Sequence, residues 1–238
     1  MTDTTSPRTG TASPMSGAHA GTAVRAAFLL AAPLFVFYPA ARPFSSEIGL
    51  DGAAAWASPW WMAAHLAAVL GFVLLFLGTV ELLRTIPARR GLKAAIVGLF
   101  AVALALVVPY YGVEIFGLRT IASAALGGEP SLTSLATDLR GGPQEILFGV
   151  GLLALALAGT GLVLAVLGTR GSGSVPGHRR WLLPVGSVLL AAGLVFFLPQ
   201  FWLDQPGRVA HGVIMAAGCA LIGLAPLARH AAAVQPAH

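Results

Sequence analysis

The stretch PWWMAAHLAAVLGFVLLFLGTVELL, residues 59–83, decides the fold. From Leu66 to Val80 its only polar side chain is Thr79, and it lacks the apolar and polar alternation of a barrel strand. A helix of about 20 residues crosses a hydrocarbon core of about 30 Å. Helices and closed barrels are the structures that satisfy backbone polar groups in lipid, so this stretch reads as a transmembrane helix. Comparable stretches lie near 24–41, 93–117, 144–168, 181–203 and 207–228.

Composition agrees: 57% of the residues are hydrophobic and 10% charged, against roughly 25% charged in soluble domains, and the mean hydropathy is +0.82. The expected fold class is therefore all-α, a polytopic membrane protein built as a six-transmembrane-helix bundle. Residues 1–23, rich in Thr, Ser, Gly, Ala and Pro, are expected to be a disordered cytoplasmic tail. The membrane domain is expected over 24–228 and a C-terminal cytoplasmic tail over 229–238. A cleaved signal peptide is the rival reading of the first helix, but Tyr38 and Pro39 stand where a cleavage site requires small residues.

Orientation follows from the short loops, because Lys and Arg resist translocation. Arg84, Arg89, Arg90 and Lys93 separate helices two and three, and Arg170, Arg179 and Arg180 separate four and five. The remaining loops carry Arg42, then Arg119 and Arg140, then Arg208, each with acids nearby. Both termini are thus expected to be cytoplasmic. The net charge of +5 is then a topology signal and an attraction for anionic headgroups of membrane lipids, and does not suggest nucleic acid as a partner. Trp56, Trp60, Trp61 and Trp202 are expected at the outer boundary and Trp181 at the inner one. The single cysteine, Cys219, excludes an intrachain disulfide and reads as a small buried filler.

Small residues stripe the helices. Gly151, Ala154, Ala158, Gly161, Ala165 and Gly168 form one seam on the fourth helix, which places it at the centre of the bundle. Ala64, Ala68, Gly71 and Gly78 on the second helix, Gly186 and Gly193 on the fifth, and Gly212, Ala216, Cys219 and Gly223 on the sixth repeat the device. The same stripes would equally pack a homo-oligomer or a membrane complex. In the longest outer loop, Leu132, Leu135 and Leu139 recur at helical spacing over 131–140 and predict a short amphipathic helix, a lid or an interfacial element.

The residues able to do chemistry collect at the outer end. His65 lies one turn inside helix two and His211 at the same depth of helix six. Tyr110, Tyr111 and Glu114 close helix three, with spacings of three and four that bring both hydroxyls to the face of the carboxylate, and Gln200 ends helix five. Ionisable groups at this depth need a partner or a cavity, so these six residues are the candidate pocket. Four readings fit it. The polar groups bond one another and hold the helices in register. His65, His211 and Glu114 bind a divalent metal. His65 and His211 ligate a b-type haem from facing helices, next to Ala64, Ala68 and Gly212. An outward cavity takes a small substrate or proton. A zinc-bound water is the only route to catalysis that the residues offer. Gly171, Gly173 and Gly177 follow no strand and form a linker, not a phosphate loop.

FVFYPAARP followed by Ala64-His65, and VFFLPQFW followed by Ala210-His211, suggest a two-helix repeat that makes the histidines symmetry mates. At PYYGVEIFGL (109–118), FFLPQFW (196–202) and RVAHG (208–212) the chain resembles uncharacterised multi-pass membrane proteins of high-GC Gram-positive bacteria. The resemblance implies an inner-membrane location and supplies no catalytic residue.

Overall fold

The computed structural model describes residues 15–169 and 179–227. Among them every regular element is helical, and five helices are long and apolar enough to cross a membrane. These are α1 (Met15–Ala41), α3 (Pro59–Thr85), the continuous helix Arg90–Leu126, α7 (Pro143–Leu167) and α9 (Gln205–Leu224). The continuous helix comprises α4 (Arg90–Gly112), a π-helical turn (Val113–Gly117) and α5 (Leu118–Leu126). The short elements are α2 (Gly49–Ala57), α6 (Leu135–Arg140) behind a 3-10 turn at Pro130–Ser134, and α8 (Leu182–Val195) ahead of a 3-10 turn at Pro199–Trp202.

The long helices and α8 pack as an up-and-down ring. Each touches its neighbours in the chain, α1 on α3, α3 on α4, α4 on α7, α7 on α8 and α8 on α9, and α9 returns to α1 to close the circle. The axis of the ring is filled with apolar side chains, among them Phe28, Phe35, Phe72, Phe100, Leu155 and Phe197, all buried. Leu30, Leu70, Leu77, Leu153, Leu157 and Leu164 remain exposed around the girth, as expected where acyl chains, not water, are the solvent. The fourth apolar helix, α7, takes one place in the ring and does not sit at its centre. Its small residues serve two seams: Gly151 and Gly161 face α4, and Gly159 faces α8.

Three boundaries differ from those read in the sequence. Helix α1 begins at Met15, so the segment 15–23 expected in the tail is helical, while 1–14 and the C-terminal tail lie outside the described residues, as does the linker with Gly171, Gly173 and Gly177. Helix α8 stops at Val195, well short of 203. Pro199 has no N–H to give the Val195 carbonyl, and the chain tightens into the 3-10 turn. The third apolar helix runs on to Leu126. At 1.5 Å per residue, its 37 residues reach about 55 Å, well beyond the hydrocarbon core.

That overshoot builds a second, smaller layer at one end of the ring. Helix α5 packs against α2, and α6 folds back over the π-helical turn. Ala53, Trp56, Trp61, Leu118, Ile121, Ala122, Ala125 and Ala136 form its core. Trp56 and Trp61 are fully buried there, which corrects their expected place in an aromatic belt; Trp60, Trp202 and Trp181 are the exposed ones. In α6 the buried position is Ala136, with Leu139 half-buried and Leu135 exposed, so the expected Leu stripe is not the packed face.

Candidate functional site

The site lies where this cap meets the ring, and the π-helical turn makes it. In that turn the Leu118 N–H reaches back five residues to the Val113 carbonyl. The Glu114 carbonyl, which an α-helix would pair with Leu118, instead accepts the indole N–H of Trp61 at 2.8 Å. Such widened turns recur at functional sites because they displace one residue from the regular helical ladder. Here the displaced residue is Glu114, only 6% exposed.

His65 stands opposite on α3. Its Nδ1–H donates to the Trp61 carbonyl one turn back at 2.7 Å, which leaves Nε2 as an acceptor aimed at Glu114 Oε2, 3.8 Å away. Trp61, Tyr38 and Tyr111 surround the imidazole with ring centroids 4.6, 5.4 and 5.6 Å from it. Among the described residues Glu114 Oε2 is buried without a hydrogen-bond partner, and the Tyr111 hydroxyl interacts with that of Tyr38. An unpaired polar group away from water costs about 1–3 kcal/mol, so this corner of the molecule is held at a cost.

Above it lies a charged strap. Glu47 accepts from Arg42 at 2.6 Å and from Arg140 at 2.7 Å, one carboxylate oxygen for each guanidinium. Arg140 also donates to the Glu47 carbonyl at 3.2 Å. Arg42 lies over the Trp61 ring at 4.5 Å and Arg140 over the Trp56 ring at 5.3 Å, so the two cations sit on the two buried indoles. Glu47 adopts φ 54°, a left-handed conformation uncommon for a residue with a side chain. The three elements that this strap ties together are the end of α1, the segment before α2 and α6.

The six sequence-derived pocket residues separate into four places. His65, Tyr111 and Glu114 meet as described. Tyr110 turns toward α7, where its ring stacks on Phe148 at 4.2 Å and an interplanar angle of 20°. Gln200 is buried at the 3-10 turn and lines a cleft with Tyr38, Arg42 and Arg208. His211 is committed elsewhere: its Nε2 bonds the Gly193 carbonyl of α8 at 2.7 Å and its ring meets Phe197 edge-on at 5.5 Å.

These positions bear on the cofactor readings. Among the described residues no three His, Cys, Asp or Glu side chains are grouped to hold a metal ion, so the expected set of His65, His211 and Glu114 is not assembled. Between the two histidines runs an unbroken series of rings, His65 to Tyr111 to Phe72 to Phe197 to His211, with centroids 5.6, 6.4, 5.1 and 5.5 Å apart. A haem ligated by both imidazoles would have to displace them. Nor do the histidines behave as symmetry mates, since one bonds within its own helix through Nδ1 and the other bonds across to α8 through Nε2.

Tyr38, Arg42, Glu47, Trp61 and Arg140 belong to the site and were not singled out as pocket residues from the sequence. A signal existed for the arginines: Arg42 and Arg140 are isolated cations on the side that the charge bias marks as outer, each with an acid close by. Such residues run against the usual bias and point to a fixed partner. Comparison of the chain with protein-family models, with curated proteins and with solved structures gives no match.

Proposed function

We propose that the chain is a six-span protein of a bacterial plasma membrane, with both termini cytoplasmic, that binds a small hydrogen-bond donor at its outer face. Support for the sixth span comes from α8, whose 14 residues are continued by the 3-10 turn and whose place in the ring is that of a full helix. Orientation rests on the Lys and Arg between α3 and α4.

The observation that carries the binding role is the buried, unpartnered Glu114 Oε2 beside His65 Nε2, with the Tyr111 ring against the same imidazole. A carboxylate and a neutral imidazole nitrogen both accept, and the phenol can do either. A primary amine or ammonium matches that set best, because it offers up to three donors and a charge that complements the carboxylate. Entry requires the cap to lift, and the Arg42–Glu47–Arg140 strap is the polar contact that would part. The reading is a binding protein and not a hydrolase.

A second reading has its own support. The Trp61 indole bond to the π-helical turn clamps α3 to α4 without any ligand, so the cluster can serve as a structural clasp. Thermal unfolding of the detergent-purified protein with a panel of small amines, alcohols and carboxylates separates the two. The binding role predicts that an amine stabilises the wild type and leaves Glu114→Gln and Glu114→Met unmoved. If no compound shifts the wild type and Glu114→Met is the more stable protein, the clasp is the whole role and the binding proposal fails.

A further inference from the structure

A different feature lies a helix turn away, at the outer ends of α1, α8 and α9. Tyr38, Pro39, Arg42, Pro43, Phe44, Gln200, Phe201, Gln205 and Arg208 line a cleft there. Two guanidinium groups on one small cleft repel each other unless an anion lies between them. Both are pinned in place. Arg208 donates through Nε to the Leu203 carbonyl at 3.0 Å and through Nη2 to the Phe201 carbonyl at 2.7 Å, and lies over the Phe44 ring at 5.2 Å. Arg42 is pinned by Glu47 and Trp61, and its Nε is buried with no partner among the described residues. Gln200 supplies a third polar group, 2% exposed and on the cleft wall. Among the described residues the sole carboxylate that touches either arginine is Glu47, already shared with Arg140.

The surroundings say what kind of anion. Phe44 on the cleft wall is exposed, as are Phe196, Leu198, Trp202 and Leu203, which flank the lining residues Gln200 and Phe201 in the chain, and an exposed Trp suits the level at which indoles meet headgroups. The interior has room for roughly one water molecule. It therefore admits a single oxygen of an oxyanion group, the rest of whose molecule stays outside, against the apolar rim. We infer that this cleft binds the phosphate of an anionic phospholipid, with Arg42 and Arg208 as its cationic jaws and Gln200 as a hydrogen-bond donor. A lipid held there bridges α1 to α9, the pair of helices that closes the ring, and touches Arg42 of the strap. The inference does not depend on a ligand at Glu114.

Native mass spectrometry of the detergent-purified full chain tests it, with phosphatidylglycerol, phosphatidylcholine of the same acyl chains and inorganic phosphate as the probes. The wild type is expected to retain phosphatidylglycerol in preference to phosphatidylcholine. Arg208→Gln should weaken that retention by about tenfold, the scale of one charge-assisted bond, and Gln200→Leu should weaken it by a smaller factor. Arg119→Gln, which removes an exposed cation elsewhere on the outer face, should leave it unchanged. Inorganic phosphate that displaces the lipid and shows the same sensitivity to Arg208→Gln would reassign the site to free phosphate and overturn the lipid assignment. Equal retention by wild type, Arg208→Gln and Gln200→Leu, or equal loss in Arg119→Gln, would overturn the site altogether. Should Arg208→Gln fail to fold, Gln200→Leu decides between these outcomes.

Discussion

The seam between α8 and α9 offers the sharpest test of the ring. Gly186 and Gly218 meet there backbone to backbone: a Cβ on Gly218 would lie 2.6 Å from the Leu190 nitrogen and 2.9 Å from its Cα, and a Cβ on Gly186 would lie 2.9 Å from the Gly218 carbonyl oxygen. Ordinary contact begins near 3.4 Å, so Gly218→Ala must part the two backbones by about 0.8 Å, and a backbone cannot rotate out of the way as a side chain can. Overpacking of this kind costs about 1–3 kcal/mol. Alanine also gains about 1 kcal/mol of helix propensity over glycine, which would blur the result if the variant were read alone. Gly98→Ala supplies the reference. It lies inside α4 with nothing within 4 Å of its added Cβ, so it takes the propensity gain without the clash, and the difference between the two variants isolates the packing. At about 2–4 °C per kcal/mol for a chain of this size, Gly218→Ala should melt about 2–12 °C below Gly98→Ala in the same detergent and at the same scan rate. Equal melting temperatures would refute the close approach of α8 and α9, and with it the assignment of α8 as a full member of the ring.

Two further tests address other parts of the molecule. Trp61→Phe keeps an aromatic ring, though a smaller one, and removes the donor to the Glu114 carbonyl; leaving that buried carbonyl unpaired should cost about 1–3 kcal/mol, and limited proteolysis within 127–142 should accelerate if the cap loosens with it. An unchanged melting temperature and cleavage rate would show that the indole bond does not hold the π-helical turn. Cys219 is fully buried, so a maleimide should label it slowly in the folded protein and promptly after unfolding in detergent; prompt native labelling would mean that the α9 face carrying it opens to solvent.

How much of this was legible from the residues varies with the kind of claim. The all-α membrane class was, because the absence of charge across spans such as 66–80 admits only a structure that satisfies its own backbone. The boundaries of α3 and α7 were nearly so, since Pro59 and Pro143 begin them and a proline is tolerated in the first turn of a helix. The long third helix was misjudged at its C-terminal end. Beyond Gly117 its composition is that of an ordinary soluble helix, and apolar length no longer marks where it stops. The stripes of small residues identified packing faces correctly at Gly151 and Gly186, but a stripe does not name its partner, and α7 proved to serve two neighbours.

The candidate site divides in the same way. Spacing alone placed His65, Tyr111 and Glu114 at one depth, because helical rise converts residue number into height. It could not say which residues at that depth face one another, since azimuth around a bundle depends on the order of the helices. The ring put His65 beside Glu114 and sent His211 to the Gly193 carbonyl. Depth likewise said nothing of Glu47, whose role depends on a loop conformation with φ 54° and on Arg140, which is distant in sequence.

By itself the sequence determined the solvent of this chain, its helical class and the height of each polar residue along a helix. These follow from local composition and helical geometry, which need no knowledge of neighbours. The tertiary structure alone decided the order of the helices around the ring, the π-helical turn that displaces Glu114, the burial of Trp56 and Trp61 beneath a cap, and the convergence of Arg42 and Arg208 on one cleft. Each of those depends on contacts between segments far apart in the chain, and close packing of a particular set of backbones, not hydropathy, selects among them.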